Sequence, residues 1–215
     1  MINSISKLLS KNNIYHKIEN NKILTRRSNI TIPKFNNDLA YITGVIVGDG
    51  AMVKTIRKRG GNHYVLSIFS NSKPYLDYLN QLFVQYFNYE GHIYKDKRHD
   101  VHSLLIQTAS IFFYFVALGL PIGKSEEEFV PDIVKNNNKY FKEYVAGLCD
   151  TDGSIYSKKI HLKQKSKNLL SEIVEFLNEN NIECSYPKVN YTNGKPYYYI
   201  RMERKIPLRL KEMPQ

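Results

Sequence analysis

The sequence predicts an α+β protein built from two pseudo-symmetric α-β-β-α-β-β units. Their twisted antiparallel sheets would form a saddle, with one motif helix from each unit at the interface. Three observations lead there. Two segments read almost alike: Ile42-Thr43-Gly44-Val45-Ile46-Val47-Gly48-Asp49-Gly50 and Val145-Ala146-Gly147-Leu148-Cys149-Asp150-Thr151-Asp152-Gly153, offset throughout by 103 residues. The same order of hydrophobic periodicities follows each of them. A length of 215 residues holds two small cores of this kind.

The elements follow in chain order. Residues 1–37 form a basic N-terminal extension, where Lys7, Lys11, Lys17, Lys22, Arg26, Arg27 and Lys34 face the single acid Glu19. A short helix near Ser4–Lys11 and a strand-like piece near Lys22–Ile32 fit it. The extension reads either as a cap on the first unit or as a contact to a polyanion. The first unit, residues 38–124, opens with the first motif helix. A hairpin then runs through Ala51–Arg59, the turn Gly60-Gly61-Asn62 and His63–Phe69. Leu76, Leu79, Leu82 and Phe83 mark a helix over Lys73–Phe87. Gly91–Arg98 and Val101–Thr108 make a second hairpin around His99-Asp100. An apolar helix, Ser110–Leu118, stops at Gly119-Leu120-Pro121. The second unit, residues 125–215, repeats the order: helix Tyr140–Cys149, hairpin Ser154–Gln164, helix Ser166–Asn180, then strands Cys184–Tyr191 and Pro196–Glu203 about Thr192-Asn193-Gly194. The remainder, Arg204–Gln215, contains Pro207 and Pro214 and is too short for a matching final helix.

Composition narrows the function. A formal charge of +11 and a pI near 9.4 favour a polyanionic partner, nucleic acid ahead of an anionic membrane. The longest apolar stretch, Ile111–Leu120, is about half of what crosses a bilayer, and the N-terminus lacks a signal-peptide core. Cys149 and Cys184 make no disulfide framework; Cys149 reads as a small packing residue. The protein is therefore expected inside the cell.

The repeated motif carries the chemistry. Gly44 and Gly48 are four apart and share one helix face, as do Gly147 and Thr151. Small residues on one face let two backbones approach, so these four residues are the expected helix interface. The C-terminal ends then meet and Asp49 sits beside Asp152. Two close carboxylates repel unless one is protonated or a cation lies between them. Magnesium suits carboxylates, carbonyls and water, and a metal so held suits phosphodiester hydrolysis. A single Asp-Gly would simply end a helix; two copies, each followed by a basic hairpin, favour the metal site.

These two segments resemble the paired signature of LAGLIDADG homing endonucleases in their single-chain, two-motif form. The resemblance covers about residues 38–203 and includes Gly119-Leu120-Pro121-Ile122-Gly123-Lys124 between the halves. It implies a monomeric, site-specific double-strand DNA endonuclease using magnesium, with manganese as a substitute. It implies that Asp49 and Asp152 bind metal through carboxylates, that Gly48 and Thr151 offer backbone carbonyls, and that Gln164 and Lys165 polarise the site and its waters. The first half departs from the pattern: Ser70-Asn71-Ser72 stands where the second half has Gln164-Lys165-Ser166. That departure implies unequal cutting of the two strands.

Long polar side chains crowd the hairpins: Lys54, Arg57, Lys58 and Arg59; Lys95, Lys97 and Arg98; Lys158, Lys159, His161 and Lys163; Lys188, Asn190, Lys195 and Arg201. Strands in a major groove place such groups on bases and phosphates. Because the halves differ in sequence, the expected target is long and asymmetric. Tyr197-Tyr198-Tyr199 reads as strand packing rather than base stacking.

Other readings weigh less. Gly119 to Gly123-Lys124-Ser125 has three residues between glycines where a phosphate-binding loop needs four. His63, His92, His99, His102 and His161 lack metal-ligand spacing. Glu126-Glu127-Glu128 reads as a charge run opening a helix. Asp150 matches Val47 in the first half, which argues against a shared catalytic role. An intein is disfavoured by Met1 and by the absence of a terminal His-Asn. The alternatives kept are an intron-RNA maturase and a cleavage-inactive DNA-binding protein on the same fold.

Overall fold

The computed structural model describes residues 1–26, 28–56, 61–96, 100–123, 127–206 and 208–209. The architecture is α+β, with antiparallel sheets throughout. Two compact units emerge from the contacts: Met1–Phe35 with Gly50–Gly123, and Asn36–Asp49 with Lys124–Gln215. The first motif helix thus packs with the second unit, and the chain returns to the first unit at Gly50.

In the first unit, α1 (Ile2–Lys11) buries Ile5 and Leu9 against α4 (Ala109–Ala117). A small meander follows: β1 (His16–Glu19), β2 (Lys22–Thr25) and β3 (Asn29–Thr31). β1 has no apolar alternation, so the sequence alone does not mark it as a strand. Residues 1–35 therefore build a cap within this unit. The four-stranded sheet has order β4-β5-β7-β6, from β4 (Gly50–Ile56), β5 (Asn62–Ser70), β6 (His92–Asp96) and β7 (Val101–Ile106). α3 (Lys73–Phe87) covers it as expected. The Ser72 hydroxyl caps α3 by accepting from Tyr75 N, and Pro74 sits in the first turn. Phe83, Phe87, Tyr114 and Phe115 form its aromatic centre, with Phe87 edge-on to Tyr114 at 5.0 Å. α4 ends at Gly119 (φ +104), where Leu120 N reaches back to Phe115 O.

The second unit holds α2 (Asn37–Asp49), α5 (Asp132–Lys135), α6 (Asn138–Asp152) and α7 (Lys167–Glu179). Its sheet has order β8-β9-β11-β10, from β8 (Gly153–Tyr156), β9 (Lys159–Gln164), β10 (Lys188–Thr192) and β11 (Lys195–Glu203). The connection order matches that of the first sheet, so the duplication read from the sequence extends to topology. Phe141 of α6 stacks on Phe176 of α7 at 3.9 Å. Among the described residues no final helix follows β11. Ile206 and Leu208 are buried instead, and Arg209 spans both motif helices: it pairs with Asp38 (2.6 Å) and Glu143 (2.5 Å) and lies 4.3 Å over the Tyr41 ring. No described helix is long and apolar enough to cross a membrane.

Candidate functional site

The site begins with two helices that touch backbone to backbone. α2 and α6 make the most extensive helix pairing in the second unit. A Cβ added at Gly44 would stand 2.0 Å from the Tyr144 carbonyl oxygen, and one at Gly147 would stand 2.2 Å from that of Tyr41. Both pairs keep the 103-residue offset, so the contact is two-fold in character. No side chain fits at either glycine, because what it would meet is main chain. One turn later the partners are Gly48 and Thr151. A Cβ at Gly48 would meet Thr151 Oγ1 at 1.9 Å and Asp152 Oδ2 at 3.2 Å. Thr151 turns its hydroxyl back to Gly147 O (3.1 Å) and Leu148 O (3.0 Å), so its side chain serves the helix.

This packing brings the two motif ends together. Asp152 Oδ2 lies against Gly48, the residue before Asp49, and the charge of Asp49 reaches Asp152. Burial raises the Asp49 carboxyl above its ordinary value. Asp152 is pushed up to about 6, first by burial and then by Asp49; the Gln164 hydrogen bond pulls the other way. α6 ends at once, because Gly153 brings its backbone so near Cys149 O that a Cβ would sit at 2.2 Å. Glycine is thus required sterically at 153, where α6 turns directly into β8. Asp150, by contrast, points into the helix pair and accepts from Tyr41 Oη at 2.7 Å.

Gln164, the last residue of β9, is nearly buried and donates from Nε2 to Asp152 Oδ2 at 2.6 Å. Lys165 follows and is exposed; Ser166 is buried and caps α7 by accepting from Leu169 N. The Ser166 hydroxyl also donates to Glu128 O (2.9 Å) and accepts from Glu128 N (3.1 Å). Glu128 is therefore not part of a helix start, as the glutamate run suggested. It lies in an irregular segment beside the site, and its carboxyl is pushed up to about 7 by burial, then by Asp152, with Lys165 opposing. Nothing local in Glu126-Glu127-Glu128 distinguishes the third glutamate; its place is set by Ser166, 38 residues away. In the first unit, Ser72 caps α3 as Ser166 caps α7, but Asn71 stands where Lys165 does.

The donors suit a hard cation: two carboxylates whose ionisation is held back by burial, with the carbonyls of Gly48 and Thr151 one residue before each. Among the described residues no three His, Cys, Asp or Glu side chains converge closely enough to hold one ion. Carbonyls, water and a bound phosphate would have to complete any such shell.

Comparison with known proteins bears on this arrangement. The family model described as "LAGLIDADG DNA endonuclease family" matches residues 39–206, which contain both motifs, Gln164 and Lys165. The chain belongs to the LAGLIDADG DNA endonuclease family. Its fold is similar to that of the homing endonuclease I-DmoI, at TM-score 0.60 and 20% identity over 77% of this chain and 82% of that one. A structure of I-DmoI with DNA and calcium aligns at TM-score 0.57 and 19% identity over the same shares. The LAGLIDADG homing endonuclease I-LtrWI, bound to its target DNA, aligns at TM-score 0.53 and 17% identity over 82% of this chain and 87% of that one. An uncharacterised protein of Methanocaldococcus jannaschii is 21% identical over 84% of this chain and 68% of its own length. Glutamine–fructose-6-phosphate aminotransferase of the same organism is 28% identical over 71% of this chain, which spans only 13% of that protein. The intron-RNA reading gains no support from these relatives.

On β9, Ile160 and Leu162 are buried, so Lys159, His161 and Lys163 share the other face. The register places Arg201 opposite His161 and Tyr199 opposite Lys163, with Lys188 opposite Tyr199, Asn190 opposite Tyr197 and Lys195 opposite Thr192. One face of the second sheet thus gathers seven of the expected contact residues. Lys163 and Arg201 lie over the rings of Tyr197 and Tyr199, each at 5.8 Å. Burial and then the two cations Arg201 and Lys163 lower the His161 pKa, which favours its neutral form. Lys158 sits in the β8–β9 turn with φ +65.

Lys54 and Lys95 are not brought onto an equivalent open face. Lys54 shares parity with buried Met52 and pairs with Tyr64, so it lies on the helix side of the first sheet, where its amine donates to Asn12 Oδ1 at 3.3 Å. Lys95 opposite His102 is likewise on the side of buried Leu104, and it pairs with Asp100 at 2.7 Å. Arg57, Lys58, Arg59, Lys97 and Arg98 lie outside the described residues.

Proposed function

We propose that the protein is a site-specific, divalent-metal-dependent endonuclease that cuts both strands of a long asymmetric DNA target. The observation that carries this reading is the convergence of Asp49 and Asp152 at the ends of two helices in backbone contact. Asp49 and Asp152, with the Gly48 and Thr151 carbonyls, would hold a divalent cation, which would supply Lewis-acid activation of water and charge stabilisation at the scissile phosphate. The chain's own groups do the rest. Gln164 fixes the rotamer of Asp152 by donating to Oδ2. Lys165 offers an exposed cation beside the acids for charge that builds on phosphate. The face bearing Lys163, Arg201, His161, Lys188 and Asn190 grips backbone and reads base edges. Magnesium fits these hard oxygen donors, and manganese substitutes for it.

Asn71 cannot supply the cation that Lys165 supplies, so the strand served by the first half should be cut more slowly. The test is cleavage of a randomised duplex library with magnesium, followed by sequencing of the ends. The expected result is one long asymmetric motif, with Asp49→Asn and Asp152→Asn each abolishing cleavage but retaining metal-free binding. Cleavage surviving in both variants would refute the assignment.

A further inference from the structure

We infer that the two sheets read DNA by different chemistry: the open face of the first sheet packs on thymine 5-methyl groups, so the half-site it serves is rich in A·T pairs. The inference rests on the DNA-cutting function proposed above and names the base class of one half of its target. Parity fixes the face. Tyr64, Leu66 and Ile68 of β5 are buried on the helix side, so Val65, Ser67 and Phe69 share the other. The register carries that face across the sheet. Val53 lies opposite Val65, Leu105 opposite Ser67, and Ser103 stands between Phe69 and Tyr94. Val53, Phe69 and Tyr94 are 41%, 42% and 56% exposed, so the apolar groups are open to a partner. Among the described residues this face carries no lysine or arginine.

The second sheet has cations at the matching positions. Both sheets share one strand order, and each places a helix-capping serine, Ser72 or Ser166, two residues after its second strand. Ser70 therefore corresponds to Gln164. Counting back, Phe69 matches Lys163 and Val65 matches Lys159. Across the ladders, Tyr94 matches Lys188 and Leu105 matches Arg201. Four cations on one face are thus four uncharged side chains on the other. An exposed apolar patch also suits a protein partner, but the surrounding charge selects a polyanion. The connection from β4 to β5 contains Arg57, Lys58 and Arg59, and that from β6 to β7 contains Lys97 and Arg98. An apolar face between cation-rich connections suits a duplex, with cations for phosphate and apolar groups for the major groove. Thymine is the base that presents a methyl group there, and side chains such as phenylalanine contact it.

The test is selection of duplexes bound by the full chain from a randomised library without divalent metal. The selected duplex is then titrated with thymine replaced by deoxyuridine, which lacks only the methyl, in one half at a time. One half should be enriched in A·T pairs, and each contacted thymine replaced there should weaken binding about fourfold, the change that burying one methyl gives. The same replacement in the other half should change Kd less than about twofold. Phe69→Lys and Val65→Lys install the residues that the second sheet holds at those positions, so a strand of this register accommodates them. Each should remove the deoxyuridine penalty at one thymine and raise the salt slope by about one. Equal penalties in both halves overturn the inference, and so does a penalty that both lysine variants leave intact. A target without A·T enrichment in either half, together with self-association of wild type that Phe69→Lys abolishes in sedimentation, overturns it in favour of a protein partner. If no sequence is enriched at all, the site-specific function falls with it. If a target is enriched and cut while deoxyuridine is neutral throughout, only the methyl contact falls.

Discussion

Gly147→Ala should damage the protein far beyond the single methyl it adds. The new Cβ would lie 2.2 Å from Tyr41 O, 2.9 Å from Val45 N and 3.1 Å from Tyr41 C, all main-chain atoms of α2. Carbon and oxygen in ordinary contact stand roughly 3.3 Å apart, so α2 and α6 must part by about 1 Å. A gap of that size forfeits a quarter to a half of the dispersion energy along the facing surfaces. Overpacking alone costs about 1–3 kcal/mol. The better helix propensity of alanine returns roughly 1 kcal/mol. With roughly 2 kcal/mol of dispersion lost along the seam, a net loss of about 2–4 kcal/mol follows, or a fall in Tm of roughly 5–15 °C for a chain of this size. Gly44→Ala meets Tyr144 O at 2.0 Å and should behave alike. Because both lesions open the same seam, the double variant should cost less than the sum of the singles. Thermal unfolding by circular dichroism measures all three. A Tm for Gly147→Ala equal to or above wild type would refute the backbone-contact reasoning.

Other expectations concern charge. Asp152 is lifted from 3.8 to about 6, so the folded state holds its proton more tightly than the unfolded chain. Stability from this group is therefore full below about pH 4 and is lost as pH rises through 6. In EDTA at pH 7.5, Asp152→Asn should be more stable than wild type by about 1–2 kcal/mol, after solvent screening of an upper bound near 3; the gap should close at pH 4 and reverse with excess Mn2+. Lys163→Ala or Arg201→Ala should weaken DNA binding and reduce the salt slope by about one, whereas Lys54→Ala, on the helix side of its sheet, should leave both unchanged; filter-binding titrations across salt distinguish them. Arg209→Ala removes two ion pairs and a ring contact shared by both motif helices and should cost about 1–3 kcal/mol by chemical denaturation. Arg209→Lys should rescue less than half, because lysine cannot fork between Asp38 and Glu143.

Much of this was legible in the sequence, and the exceptions have physical causes. Glycines four apart before Asp-Gly dictate close helices and a helix-to-strand turn, and Gly44, Gly147 and Gly153 prove to be sites where a Cβ cannot fit. Strict alternation in Lys159–Gln164 revealed the open face of β9. The first sheet misled because Lys54 was read by its charge, while parity with Met52 decides its side; that signal was present in Met52-Val53-Lys54. Glu128 was not legible, since three consecutive glutamates carry no periodicity and a distant serine selects one of them. Arg209 gives no signal either: its partners Asp38, Tyr41 and Glu143 come together only through the packing of α2 and α6.

Anomalous diffraction from crystals of the full chain with target DNA and Mn2+ tests the paired-acid site most directly. The account predicts a manganese peak within about 2.0–2.6 Å of carboxylate oxygens from Asp49 and Asp152, next to a DNA phosphate. Manganese bound elsewhere, with those two side chains holding only protons or each other, would contradict it.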